Sequence, residues 1–293
     1  MASDPNRGAP GQLRVVSLTL LALLAFAGNS LLCRLALTRT SIDAATFTSV
    51  RIVSGALALA LLVRFRTPHT SLAGSWPSAA ALFAYAASFS FAYERLTAGT
   101  GALLLFGAVQ ATMISVGVVR GERLHAVQVA GLLLAYAGLI GLVLPGLAAP
   151  PFLSAALMLA AGAAWGLYSL RGRHAGDPTS VTAGNFLRAV PMALGVSLLF
   201  IQSQAIDTAG MLYAIASGAL ASGVGYAVWY TALRDLSATT AATVQLSVPV
   251  IAAAGGVLLL NEPLTLRLVA TGAAILGGVA LVVLTRRRVQ GVE

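Results

Sequence analysis

Apolar residues along this chain do not alternate with polar ones; they run together. Runs of about twenty, the length needed to cross a roughly 30 Å hydrocarbon layer, recur at about 14–37, 44–64, 74–94, 98–118, 124–144, 152–170, 180–200, 208–231, 239–259 and 265–285. Turn-forming groups separate them, among them Thr67-Pro68-His69, Pro145-Gly146, Pro150-Pro151, Asp177-Pro178 and Asn261-Glu262-Pro263. Hydrocarbon offers no partner to a backbone amide, so runs this long predict helices. The expected fold is an all-α polytopic membrane protein with ten transmembrane helices. Arg7, Arg14 and Ala25-Phe26-Ala27 give the first run some likeness to a cleaved signal peptide. An internal repeat uses that run as a whole helix, which favours its retention.

The repeat is the most informative feature of the sequence. At a shift of 137, Arg34 falls on Arg171, Arg51 on Arg188, Leu57 on Leu194, Phe89 on Tyr226 and Tyr93 on Tyr230. Three residues enter after Tyr230. At a shift of 140, Ala98 then falls on Ala238, Thr100 on Thr240, Glu122 on Glu262, Leu124 on Leu264 and Val129 on Val269. The chain therefore divides into a tail at 1–13, one five-helix repeat at 14–144, a second at 152–285 and a basic tail at 286–293. Five is odd, so the second copy enters the membrane from the opposite side. The expectation is two inverted five-helix repeats around a central cavity, with a solute site between them near the midplane. Two similar halves that exchange conformations give inward-open and outward-open states of similar energy.

Three features carry a resemblance to a known family. Each repeat has an arginine early in its second helix, Arg51 and Arg188. Small residues begin each fourth helix, Leu96-Thr97-Ala98-Gly99-Thr100 and Leu236-Ser237-Ala238-Thr239-Thr240. A similar turn precedes each fifth helix, Gly121-Glu122-Arg123-Leu124 and Asn261-Glu262-Pro263-Leu264. In these the chain resembles EamA-type members of the drug/metabolite transporter superfamily. Its aromatic-rich helices most resemble the YddG-type aromatic amino acid exporters. The family's helix-breaking proline appears as Pro249, whereas the first half has Val109-Gln110 there, so symmetric kinks are not expected.

Composition narrows the class further. Hydrophobic residues make up 58% and charged ones 9%, with a mean hydropathy of +0.88. A soluble domain is usually about a quarter charged, and a disordered chain needs low hydrophobicity. All 18 basic residues are arginine, and the net charge is +9. In a soluble chain this would point to nucleic acid; here most of the arginines stand singly or in short groups around the breaks between apolar runs, so no nucleic-acid partner is expected. With the N-terminus in the cytoplasm, twelve arginines fall inside and four outside, Arg34, Arg39, Arg95 and Arg267. That imbalance places both termini of a bacterial-type inner-membrane protein in the cytoplasm. Cys33, the single cysteine, is read as a packing residue.

Candidate solute-binding residues are polar or aromatic groups inside the runs: Asn29, Tyr85, Phe89, Gln110, Trp165, Tyr168, Tyr226, Gln245 and Ser247. Tyr85, Phe89 and Tyr93 form a stripe at i, i+4 and i+8, repeated by Tyr226 and Tyr230. Tyr93 and Tyr230, near helix ends, suit an interfacial belt; the deeper rings suit the wall of a pocket. Arg51 is about 10 Å into its helix at 1.5 Å per residue. It attracts a carboxylate, or it satisfies backbone carbonyls; its repetition at Arg188 favours the structural role. Glu122 and Glu262 are read as caps of the following helix, and with Arg51, Arg188 and Pro249 they form the structural or gating set.

No acidic residue lies mid-span, so a facilitator without proton coupling is expected; proton antiport of other metabolites or drugs is the alternative. Gly28-Asn29-Ser30-Leu31 is a short protease-like motif, but no histidine lies in a span to activate the serine. A channel's filter-like segment is missing too. The sequence therefore reads as a non-enzymatic exporter of small amphiphilic solutes, above all amino acids with aromatic or apolar side chains. It is expected to lie in the lipid bilayer, to be able to function as a monomer with the oligomeric state left open, and to need no cofactor or metal.

Overall fold

The computed structural model describes residues 9–66, 72–121, 124–146, 148–172, 177–236 and 238–290, and they are almost wholly helical. Ten long helices follow one another. They are α1 (Ala9–Arg39), α2 (Ala44–Arg66), α3 (Trp76–Tyr93), α4 (Ala98–Val119), α5 (Ala126–Val143), α6 (Phe152–Gly172) and α7 (Pro178–Leu199). After these come α8 (Thr208–Leu233), α9 and α10 (Leu266–Gln290). The ninth is interrupted, Ala238–Gln245 and then Ser247–Leu260. Among the described residues nine are long and apolar enough to cross a membrane; the serine- and tyrosine-rich α3 falls outside that set. The helices extend past the expected limits at both ends: α1 begins at Ala9 and α10 continues to Gln290.

Local chemistry fixes where helices begin. Ser75 caps α3, Thr97 caps α4, Asp177 caps α7 and Asp207 caps α8, each side chain accepting from an amide three residues on. Pro77 and Pro178 stand in first turns, where their missing N–H costs nothing. Asn261, at φ 55°, ends α9 in the left-handed region. Pro249 supplies no amide to the ladder, and α9 breaks at Leu246, just ahead of it. The corresponding α4 runs without interruption, as its lack of proline predicts.

Helix α2 packs against α7, and α5 against α10. Along α2, residues 49 and 55 meet residues 193 and 186 of α7: Ser49 Oγ donates to Ala193 O at 2.8 Å, and Gly55 lies under the Phe186 ring. Along α5, Gln128, Gly131, Gly138 and Gly141 meet Val282, Gly278, Ile275 and Arg267 of α10. Numbers rise on one helix as they fall on the other, so both pairs are antiparallel. Gly131 and Gly278 each touch the other's carbonyl where a side chain would stand. The small-residue pattern of these helices thus serves packing within the chain, where contact and dispersion replace the absent hydrophobic drive. The remaining main contacts come in matched sets: α1 with α8 and α3 with α6, α1 with α9 and α4 with α6.

Leu133, Ile140, Leu198, Leu212 and Leu258 are each more than half exposed on the outside of the bundle. Apolar surface spread this widely suits lipid, not water.

Candidate functional site

The site is built where α1, α2, α3, α6 and α8 converge. Asn29 of α1, Arg51 of α2 and Tyr85 of α3 are buried and share one hydroxyl. Arg51 Nη2 donates to Tyr85 Oη at 2.9 Å, and Asn29 Nδ2 donates to the same oxygen at 3.2 Å. Ser217 of α8 donates to Asn29 Oδ1 at 2.6 Å. Ser217 belongs to a π-helical segment, Ala216–Val224, that lies against α2; its Gly218 touches the carbonyl of Arg51 where a Cβ would stand. Such wide turns recur at functional sites.

Rings continue the cluster. Tyr85 is 5.4 Å from Phe89 and 4.9 Å from Trp165, centroid to centroid. Trp165 stacks on Tyr168 at 5.4 Å and tilts against Tyr226 at 5.1 Å. Phe26 and Phe186 close on Tyr226 from two sides. The Arg51 guanidinium lies 5.1 Å from the Tyr85 centroid and 4.8 Å from that of Phe89, within cation–π range.

The ends of the same helices differ. Where α1, α3 and α9 finish and α4 begins, Arg34 Nε pairs with Glu262 Oε1 at 2.9 Å. Arg34 Nη1 also donates to the carbonyls of Tyr93 and Glu94, and Glu262 Oε2 accepts from the Ala98 amide at 2.7 Å. At the opposite end of α3 and α4 lies a cavity of about 500 Å³ lined by Ser75, Ser78, Arg120, Tyr168, Arg171, Asn185 and Tyr230, among others. Asn185 links it inward, its Nδ2 donating to Tyr168 Oη at 3.4 Å. A larger apolar cavity of about 1070 Å³ lies between α4, α5 and α6 and includes Thr112 and Ser115.

Outside the spans, burial pushes the Glu94 carboxyl up from its ordinary value. Asp43 goes the other way. Burial alone would raise it, but hydrogen bonds from Thr46 and from the amide of Ala205 hold it below.

Of the expected site residues, Asn29, Tyr85, Phe89, Trp165, Tyr168 and Tyr226 form one connected cluster. Gln110 is buried on α4, and Gln245 and Ser247 are half-buried at the break in α9. None of the three joins the hydrogen-bonded cluster, and Ser247 Oγ bonds its own helix at Val244 O. Glu122 lies outside the described residues. Glu262 caps α4, not the α10 that follows it, because the turn folds back across the bundle. Tyr93 is not in a belt: it is fully buried, its ring 4.7 Å from Phe89 and its hydroxyl bonded to Ala98 O. The glycine at position 101 makes room for that ring.

The two repeated arginines differ. Arg188 is half-exposed and donates to the carbonyls of Ala73 and Gly184, the backbone role expected for both. Gly184 is four residues before it, and only glycine lets Ala73 approach there. The residue four before Arg51 is the buried Phe47, and Arg51 bonds the Tyr85 hydroxyl instead of a backbone carbonyl. Sequence reading missed Arg34 and Ser217 as network members. The match of Arg34 to Arg171 was a usable signal; nothing marked Ser217.

Residues 152–284 match the EamA-like transporter family. The chain is 58% identical over 274 residues to an uncharacterized protein of Pseudomonas aeruginosa, an alignment spanning 93% of this chain and 96% of that one. A solved crystal structure aligns over 94% of this chain and 98% of its own with a TM-score of 0.65 at 18% identity, a likeness of fold alone.

Proposed function

We propose, from the EamA-like transporter domain found at residues 152–284, that the chain exports amino acids with aromatic or apolar side chains by alternating access. The observation that carries this reading is the difference between the two ends of the bundle. One is closed by Arg34 and Glu262; the other has a 500 Å³ cavity that reaches Tyr168, one ring from Trp165. Arg120 and Arg171 line the cavity, and the arginine imbalance supports reading it as the cytoplasmic mouth. A solute loads there and meets a cluster of rings, which suits an aromatic or apolar side chain.

The halves act as inverted repeats around this path. The antiparallel pairing of α2 with α7 and of α5 with α10 supports that reading, as do the matched contacts of the others. Breaking the Arg34 pair and closing around Arg171, its counterpart at a shift of 137, would carry the solute across. One chain holds both halves, so the transporter works as a monomer in the inner membrane with both termini in the cytoplasm.

The test is counterflow of labelled phenylalanine in proteoliposomes. Saturable uptake that excess internal phenylalanine accelerates is expected, without need of a pH gradient. Flux linear in concentration, or none, overturns the reading; accumulation driven by an imposed pH gradient replaces the facilitator with an antiporter.

A further inference from the structure

Arg51 is 1% exposed, the largest of the fully buried side chains. Its Nη2 bonds a neutral phenol, and Nε and Nη1 have no hydrogen-bond partner among the described residues. A buried cation is ordinarily paired with an anion, because desolvation costs several kcal/mol per ion. No such anion is at hand among the described residues. The acidic residues among these, Asp43, Glu94, Asp177, Asp207, Asp235 and Glu262, all stand at helix ends or turns. Asp43, immediately before α2, is already occupied by the amides of Thr46 and Ala205. Aromatic faces offset part of the cost but accept no hydrogen bond of normal strength.

The surrounding polar groups point to the same missing partner. Tyr85 Oη accepts from both Arg51 and Asn29, which leaves its own O–H free to donate. Asn29 Oδ1, an acceptor, is taken by Ser217. The centre of the cluster is therefore rich in donors and short of acceptors, with a fixed positive charge among them. Zwitterion recognition through uncharged groups alone would not need this.

We propose that Arg51 is the docking point for a carboxylate of the transported solute, which pairs with Nε and Nη1 when the rings around it part. The inference rests on the transport reading above and specifies its substrate class: organic carboxylates whose apolar part lies against Tyr85, Phe89 and Trp165. Arg188, already bonded to two carbonyls, takes no part in binding.

The experiment compares phenylalanine with phenylalaninol, which keeps the ring and the ammonium and replaces the carboxylate by a neutral hydroxymethyl group. Thermal stabilisation of the detergent-purified full chain measures binding, and proteoliposome counterflow measures transport. The wild type is expected to bind phenylalanine at least roughly tenfold more tightly than phenylalaninol, the span of one charge-assisted hydrogen bond. Arg51→Met should bring the ratio to about one while Arg188→Met leaves it unchanged. Should Arg51→Met not give monodisperse protein, Arg51→Lys carries the test: phenylalanine weakens several-fold and phenylalaninol does not. A wild type without carboxylate preference, or a variant at position 51 that keeps it in full, overturns the proposal. Arg51-dependent binding without flux upholds the site and removes the transport reading; flux of phenylalanine indifferent to position 51 does the reverse.

Discussion

Glu262 reaches Arg34, 228 positions away in the chain, at 2.9 Å and with its second oxygen takes the Ala98 amide at 2.7 Å. One carboxylate thereby joins the ends of α1, α4 and α9. Both partners are mostly buried, so the pair is stronger than a surface ion pair, and removing one leaves the other charge uncompensated. Glu262→Gln is expected to lower stability by about 2 kcal/mol and to loosen this end of the bundle. Cys33, beside Arg34 in sequence and fully buried, reports it. Labelling by a membrane-impermeant maleimide should speed up several-fold in the variant. An unchanged rate would mean that the pair does not hold the end closed.

Trp165 touches Tyr85, Tyr168 and Tyr226. Ring pairs contribute about 0.5–1.5 kcal/mol each. Trp165→Ala should therefore lower the preference for aromatic over aliphatic amino acids by about fivefold in counterflow competition. Trp76→Ala, on an exposed residue at the start of α3, should leave the preference as it was.

Gly184 is where the segment before α3 crosses α7. A Cβ there collides with the Ala73 carbonyl, which is backbone and cannot swing aside, and it crowds Arg188 Nη1 at 2.8 Å. Gly184→Ala is expected to cost about 3 kcal/mol, the upper part of the overpacking range. A melting temperature within a degree or two of the wild type would show that the segment yields. Gly28→Ala, with open space around it, is the control.

The depressed carboxyl of Asp43 makes stability depend on acidity. Its folded value lies below the unfolded one, so its contribution is complete above the ordinary carboxylate range and lost as pH falls through the folded value. Glu94, raised by burial, acts in the opposite sense: it favours the fold at low pH and loses that contribution as pH rises. Asp43→Asn should flatten the acid limb of a melting-temperature profile in detergent. An acid limb as steep as that of the wild type would place the sensitivity at another group.

Much of the cluster was visible in the sequence. The stripe Tyr85–Phe89 and its echo at Tyr226 are helical spacings, and helical spacing survives folding because it is set by the backbone. The role of Glu262 was misread for the converse reason: the nearest helix start in sequence is α10, but the nearest in space is α4. Tyr93 looked interfacial because it ends a helix; the crossing of α4 at Gly101 covers it.

By itself the sequence determined that apolar runs become helices, how many there are, and where Pro249 interrupts one. These follow from hydrocarbon's inability to bond a backbone and from local geometry. The fates of Arg51 and Arg188 needed the fold. Both occupy matching positions in the sequence, yet one meets two carbonyls and the other a phenol and two rings; at Gly184 the missing side chain lets the Ala73 carbonyl approach Arg188. Pairing between groups far apart in the chain depends on which backbones can approach, and only packing in three dimensions decides that.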